Sequence, residues 1–148
     1  MNKLALGNDE AAVGLRDVIT EYLKDRGLEV DLYGPSSPDD KVDYPDVAVE
    51  VAKKVADGTY ERAILLCGTG IGMAIAANKV PGVRAALVSD AYSAERAMAS
   101  NDAHIITMGA RTVGPELAKV LVRTWLDTDF AGGRSLPKVK KLEALDEK

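Results

Sequence analysis

With 148 residues, 47% of them apolar and 28% charged, the chain has the size and balance of one soluble domain that buries its core without disulfide staples. A net charge of −4 gives no chain-wide basic field for nucleic acid or an anionic membrane, so an anionic ligand would need a local cluster of Arg or Lys. One cysteine and one histidine exclude an intrachain disulfide and a usual zinc site, leaving only carboxylates for a hard cation.

Charge interrupts the opening residues MNKLALGND too soon for the core of a secretion signal. No stretch approaches the roughly 20 apolar residues of a membrane span. A reducing cytoplasm is the expected compartment.

In chain order, Lys3–Gly7 reads as a short buried strand. Leu15, Val18, Ile19, Tyr22 and Leu23 then recur at helical spacing, and Gly27 ends that helix. Glu29–Leu32 is a second strand, and Gly34–Pro38 a loop of Gly, Pro and Ser. Pro45 suits the first turn of a helix to about Asp57, with Val47, Val51 and Val55 inward. Arg62–Cys67 is continuously apolar after its arginine, as a strand covered on both faces should be. Gly68–Gly72 turns into a helix ending near Val80-Pro81-Gly82. The strand Arg84–Val88, the helix Ala91–Ser100 and the strand His104–Met108 follow. The next helix, Glu116–Leu126, carries Leu117, Val120, Leu121 and Trp125 on one side. From Gly132 the tail ends in a short charged helix. Five strands alternating with helices specify an α/β fold: one domain over 1–148, a three-layer αβα sandwich on a parallel five-stranded sheet.

In such sheets ligands bind beyond the carboxyl ends of the strands. Four segments fall there and are expected to converge: Gly7–Glu10, Cys67–Gly72, Ser89-Asp90 and Gly109–Arg111. The second, CGTGIG, offers successive backbone N–H groups and a helix N-terminus, which favour negative charge, and glycines that let a ligand approach closely. The same field favours a thiolate at Cys67. By itself, a lone cysteine ending an apolar strand is ordinary core; the adjoining turn moves it toward function. The spacing Gly68-x-Gly70-x-Gly72 is neither the dinucleotide fingerprint nor a P-loop. Asp90 nevertheless stands about 20 residues on, where a ribose partner would be, so a non-catalytic nucleotide or sugar-phosphate binding module is the competing reading.

Over CGTGIGMAIAANKVPGVRAALVSD the chain resembles the family of type B ribose-5-phosphate isomerase and the two galactose-6-phosphate isomerase subunits. GNDEA, DYP at 43–45, YSAERAMASND at 92–102, MGAR at 108–111 and GGR at 132–134 carry the likeness nearly end to end. The resemblance implies a Rossmann-like sandwich and an aldose–ketose isomerase of a small phosphorylated sugar, without cofactor or metal. It also implies a homodimer with shared active sites, a tetramer being left open, and a tail helix over about 136–147 packed on the partner subunit.

Residue by residue, the resemblance makes Cys67 the base, taking a proton from the carbon beside the carbonyl and returning it to the neighbouring carbon. The backbone N–H groups of Gly68, Thr69, Gly70, Ile71 and Gly72 become the anion hole for the enediolate, supported by Asn101 reaching into the neighbouring chain's site. The Thr69 hydroxyl would move a proton between the substrate oxygens; a helix cap is its plainer reading. Asp9 and Tyr44 match positions that touch the sugar, and Glu10 is grouped with them as substrate-binding. Arg111 and Arg134 match phosphate ligands, and Lys138 sits where relatives often have a second arginine. For each cation a solvated surface role is the alternative.

The chain departs from the pentose-phosphate members at two places. They carry Asp-His where it has Asp9-Glu10, and a ring-opening histidine where it has Ser100. An aldopentose 5-phosphate closes through O4 and must be opened, whereas a tetrose 4-phosphate has O4 esterified and stays open. DGTYERAILLCGTGIG and SAERAMASNDAHIITMGAR also look most like the tetrulose-phosphate branch of erythritol and tetritol breakdown. The expected reaction is interconversion of D-erythrulose 4-phosphate and D-erythrose 4-phosphate, with ribose and ribulose 5-phosphate as the alternative pair. Glu10 beside a phosphate would repel it unless it binds a hydroxyl or a cation. The sole histidine, His104, is expected to be a packed imidazole.

Overall fold

The computed structural model describes residues 1–147. Strands β1 (Lys3–Asn8), β2 (Glu29–Tyr33), β3 (Ala63–Cys67), β4 (Ala85–Leu87) and β5 (Ile105–Gly109) form one parallel sheet in the order β2-β1-β3-β5-β4. The helices are α1 (Val13–Asp25), α2 (Tyr44–Ala56), α3 (Ile71–Asn78), α4 (Ala91–Ala99), α5 (Pro115–Leu126) and α6 (Leu136–Ala144). Single 3-10 turns occupy Glu10–Ala12, Gly133–Ser135 and Leu145–Glu147. No helix among the described residues is long and apolar enough to cross a membrane.

The two-residue period of a strand sorts the layers. Leu4, Leu6, Ile64, Leu66, Ile106 and Met108 pack with the core residues of α1, α4 and α5. Ala5, Ala63, Leu65, Cys67 and Ile105 pack with those of α2 and α3. The central strands β3 and β5 are buried along their whole length, which is why they read as unbroken apolar runs. That alternation sends the Cys67 side chain toward α2 and α3.

Packing moves some expected faces and ends. The buried face of α5 is Ala118, Leu121, Val122 and Trp125, while Leu117 is 41% exposed and Val120 is half-buried. The helix lies against both α1 and α4, and this rotates the apolar stripe away from Leu117. In α1, Val18 and Tyr22 are half-buried, and Arg16 and Thr20 share the inner face with Leu15, Ile19 and Leu23. β4 is a three-residue edge strand. The Asn78 carboxamide takes up Ala85's N–H and C=O, at 2.8 Å each, at the start of that edge. The tail helix buries Val139 on its own chain, Glu143 pairs with Arg84, and Asp146 accepts the Gly82 N–H at 2.8 Å.

Candidate active site

β1 and β3 are neighbours whose following helices cross to opposite faces, the switch point where such sheets hold ligands. The turn after β3 is built around Gly70, which has φ 83° and lies so close to β5 that a Cβ would come within 2.9 Å of the Met108 backbone. Its carbonyl accepts the fully buried Thr107 hydroxyl at 2.8 Å. Backbone bonds from Ala110 N–H to the Cys67 carbonyl (2.9 Å) and from Arg111 N–H to the Gly68 carbonyl (3.0 Å) stitch the β5–α5 loop to the same turn.

Cys67 is 5% exposed, and its sulfur accepts the Gly70 N–H at 3.1 Å. The sulfur therefore faces the peptide dipoles of the turn. Ile71 N–H donates to the Thr69 hydroxyl oxygen at 3.2 Å. Thr69 thus steadies the first turn of α3 from one position before its cap, Gly70. These two bonds amend the expected row of five free amides: those of Gly70 and Ile71 are already engaged, and a ligand oxyanion would compete for them with the thiol and the hydroxyl. The amides of Gly68, Thr69 and Gly72 complete the row.

Three expected side chains surround the turn. The Arg111 guanidinium lies over Gly68, with Nη1 2.8 Å from where a Cβ would stand. The Tyr44 ring covers Gly72 from the start of α2, where any side chain at Gly72 would overlap it. Asp9 follows β1, donating its N–H to the Leu66 carbonyl at 3.2 Å and capping the next turn by accepting the Ala11 N–H at 3.0 Å. Burial raises the Asp9 carboxyl above the ordinary carboxylate range; Glu10 adds to the rise, while the Ala11 N–H and Arg111 oppose it.

Glu10, grouped with the sugar ligands, follows Asp9 and has a backbone partner on the loop before α2. Its carboxylate accepts the Val42 N–H at 3.4 Å, tying the long loop before α2 to the turn after β1. Ser89-Asp90 does not reach the site, because β5 lies between β3 and β4. Asp90 instead caps α4, accepting the Ser93 N–H at 2.7 Å and hydroxyl at 2.8 Å. That removes the ribose partner from the nucleotide-binding reading.

The remaining expected residues lie apart from the turn, around a cleft of their own. Asn101, Arg134 and Lys138 line a cavity of about 380 Å³ together with Ser100, Ser135 and Leu142. None of its walls comes from β1, α2 or the Cys67 turn. His104 lies elsewhere again, at the amino end of β5 next to Ala63. Its Nε2 is 3.0 Å from Arg84, and burial together with Arg84 holds its pKa below the ordinary value of 6.5.

A sequence profile of the Ribose/Galactose Isomerase family matches residues 4–142. The chain belongs to the ribose/galactose isomerase family. It is 51% identical over 142 residues to the D-erythrulose-4-phosphate isomerase of Pectobacterium atrosepticum, covering 96% of this chain and 93% of that protein. It is 52% identical over 146 residues to a protein of Listeria innocua named ribose-5-P isomerase B, covering 99% and 98%. Its fold matches the ribose-5-phosphate isomerase B structure from Clostridium thermocellum with TM-score 0.95 and 42% identity, covering 98% of this chain and 97% of that one.

As a member of this isomerase family the chain carries supporting residues that sequence reasoning passed over. Asn8 is fully buried and donates to the Asp9 and Pro35 carbonyls at 2.9 and 3.0 Å, and the buried Arg16 reaches the same Pro35 carbonyl at 3.3 Å. They hold the loop that leads to Tyr44. Thr107 was legible in principle, since a hydroxyl inside the run IITMG must find a partner when buried. Asn8 and Arg16 gave no such signal, because their partner lies on a distant loop. Among the described residues no three His, Cys, Asp or Glu side chains are grouped to hold a metal ion.

Proposed function

We propose that this isomerase interconverts D-erythrulose 4-phosphate and D-erythrose 4-phosphate through a cis-enediolate, in the cytoplasm, with Cys67 as the base. The observation that carries the reading is the Cys67 sulfur held on the Gly70 amide, with Arg111 across the turn. The thiolate takes a proton from C1 of the ketose, and the electron pair moves to the carbonyl oxygen at C2. Amides of Gly68, Thr69 and Gly72, joined by those of Gly70 and Ile71 as they exchange partners, stabilise the resulting oxygen charge. Thr69 passes a proton between O1 and O2, and the thiol returns its proton to C2. Asp9 and Tyr44 orient the sugar, and Arg111 takes the phosphate.

The Asn101, Arg134 and Lys138 cleft completes the site of a second copy in a homodimer, Asn101 supporting its anion hole and the two cations its phosphate. Two features support a composite site: none of the lining of that cleft comes from the Cys67 turn, and Ile71 and Ile75, on the helix that follows the turn, are 55% and 58% exposed. The tetrose assignment rests on Ser100, which lines that cleft where pentose-phosphate members carry a ring-opening histidine. The Listeria relative's name favours ribose 5-phosphate as the second reading. The deciding measurement is kcat/KM on erythrulose 4-phosphate and ribose 5-phosphate under one set of conditions. A higher value on the pentose overturns the tetrose assignment, and turnover of neither overturns the isomerase reading of the site.

A further inference from the structure

Behind the Asn101 cleft, Arg84 gathers groups from three parts of the chain. Its side chain is 14% exposed. Nε donates to the carbonyl oxygens of Asn101 and Asp102, at 3.1 Å each. Nη2 lies 3.2 Å from the Asp102 carboxylate and 3.0 Å from His104 Nε2, and Nη1 lies 3.4 Å from the Glu143 carboxylate on α6. All three guanidinium nitrogens are thereby engaged.

The segment so gripped is conformationally costly. Asp102 has φ 49°, the one positive φ among the described non-glycine residues. A left-handed backbone is unfavourable for an L-residue, although Asp tolerates it better than most. Two carbonyls converging on one Nε, and a carboxylate on Nη2, hold the turn in that shape. Asn101 is the residue immediately before it, and its orientation into the cleft follows from the turn.

We propose that Arg84 is a positioning residue for turnover: without touching substrate, it fixes the Asn101–Asp102 turn so that the Asn101 carboxamide is aimed where the anion hole needs it. The inference rests on the reading of Asn101 given above. Only a planar fork can serve several acceptors at fixed angles, so lysine, a single point of charge on a flexible stem, is no substitute.

A double-mutant cycle tests this. Arg84→Lys is expected to lower kcat about tenfold or more, with a smaller change in KM, because misplacement far from the chemistry acts on the transition state. In an Asn101→Ala background the same Arg84→Lys change is expected to cost at most about twofold, since coupled residues are not additive. An equal loss in both backgrounds overturns the proposal and leaves the reading of Asn101 standing. Wild-type kcat in Arg84→Lys also overturns it. Wild-type turnover in Asn101→Ala overturns both. If Arg84→Lys does not fold, Asp102→Asn carries the cycle, because asparagine tolerates the left-handed backbone but weakens the grip on Arg84; an additive loss there is equally fatal.

Discussion

The Thr107 hydroxyl reaches out of the interior of β5 and donates to the Gly70 carbonyl at 2.8 Å, fixing the turn that carries Cys67 from a neighbouring strand. The same carbonyl also accepts the Ala74 N–H at 3.1 Å. Thr107→Val keeps the shape and removes the donor. Urea unfolding is expected to show a loss of about 1 kcal/mol, the net value of one such bond when its acceptor keeps another partner. A fall in kcat should accompany it. Unchanged kcat in the folded variant would mean that the backbone stitches from Ala110 and Arg111 suffice to hold the turn.

Cys67→Ser removes the ionisable sulfur and little volume. Turnover is expected to drop on the order of 10²–10⁴-fold, the usual contribution of general base catalysis. Inorganic phosphate should still compete for the site in a binding titration, because Arg111 is untouched. Wild-type turnover in this variant would take Cys67 out of the chemistry.

A composite site makes a prediction that a self-contained one does not. Cys67→Ser and Asn101→Ala homodimers should each be impaired. After subunit exchange a mixed dimer has one site with both lesions and one with neither, so activity should rise toward about half of wild type per hybrid dimer. A mixture whose activity stays at the average of its parents would place Asn101 outside the partner's site.

His104 should give stability a pH dependence. Its folded pKa lies below 6.5, owing first to burial and then to Arg84; Arg62 also lowers it, while Asp102 and Glu143 raise it. Between the folded value and 6.5 the unfolded chain binds a proton that the folded chain refuses. Its contribution is therefore complete above the unfolded value and is lost as pH falls through 6.5 toward the folded value. His104→Gln keeps an acceptor for Arg84 and does not titrate. Melting temperatures measured from about pH 7.5 to about pH 5.5 should fall less steeply in this variant than in the wild type. Equal slopes would show that His104 does not contribute to that dependence.

The sequence by itself determined the alternation of strands and helices, the buried central strands and the turn after Cys67, because periodicity and glycine act over a few residues. Even there it left undecided the exposure of Leu117, which depends on how α5 lies against α1 and α4. Only the tertiary structure decided that β5 slips between β3 and β4, bringing Thr107 and Arg111 to the turn and carrying Asp90 away. Only it turned Glu10 toward Val42, and set Asn101, Arg134 and Lys138 around a cleft with Arg84 behind it. Strand order and loop docking join residues tens of positions apart, and no local pattern of side chains encodes which of them will meet.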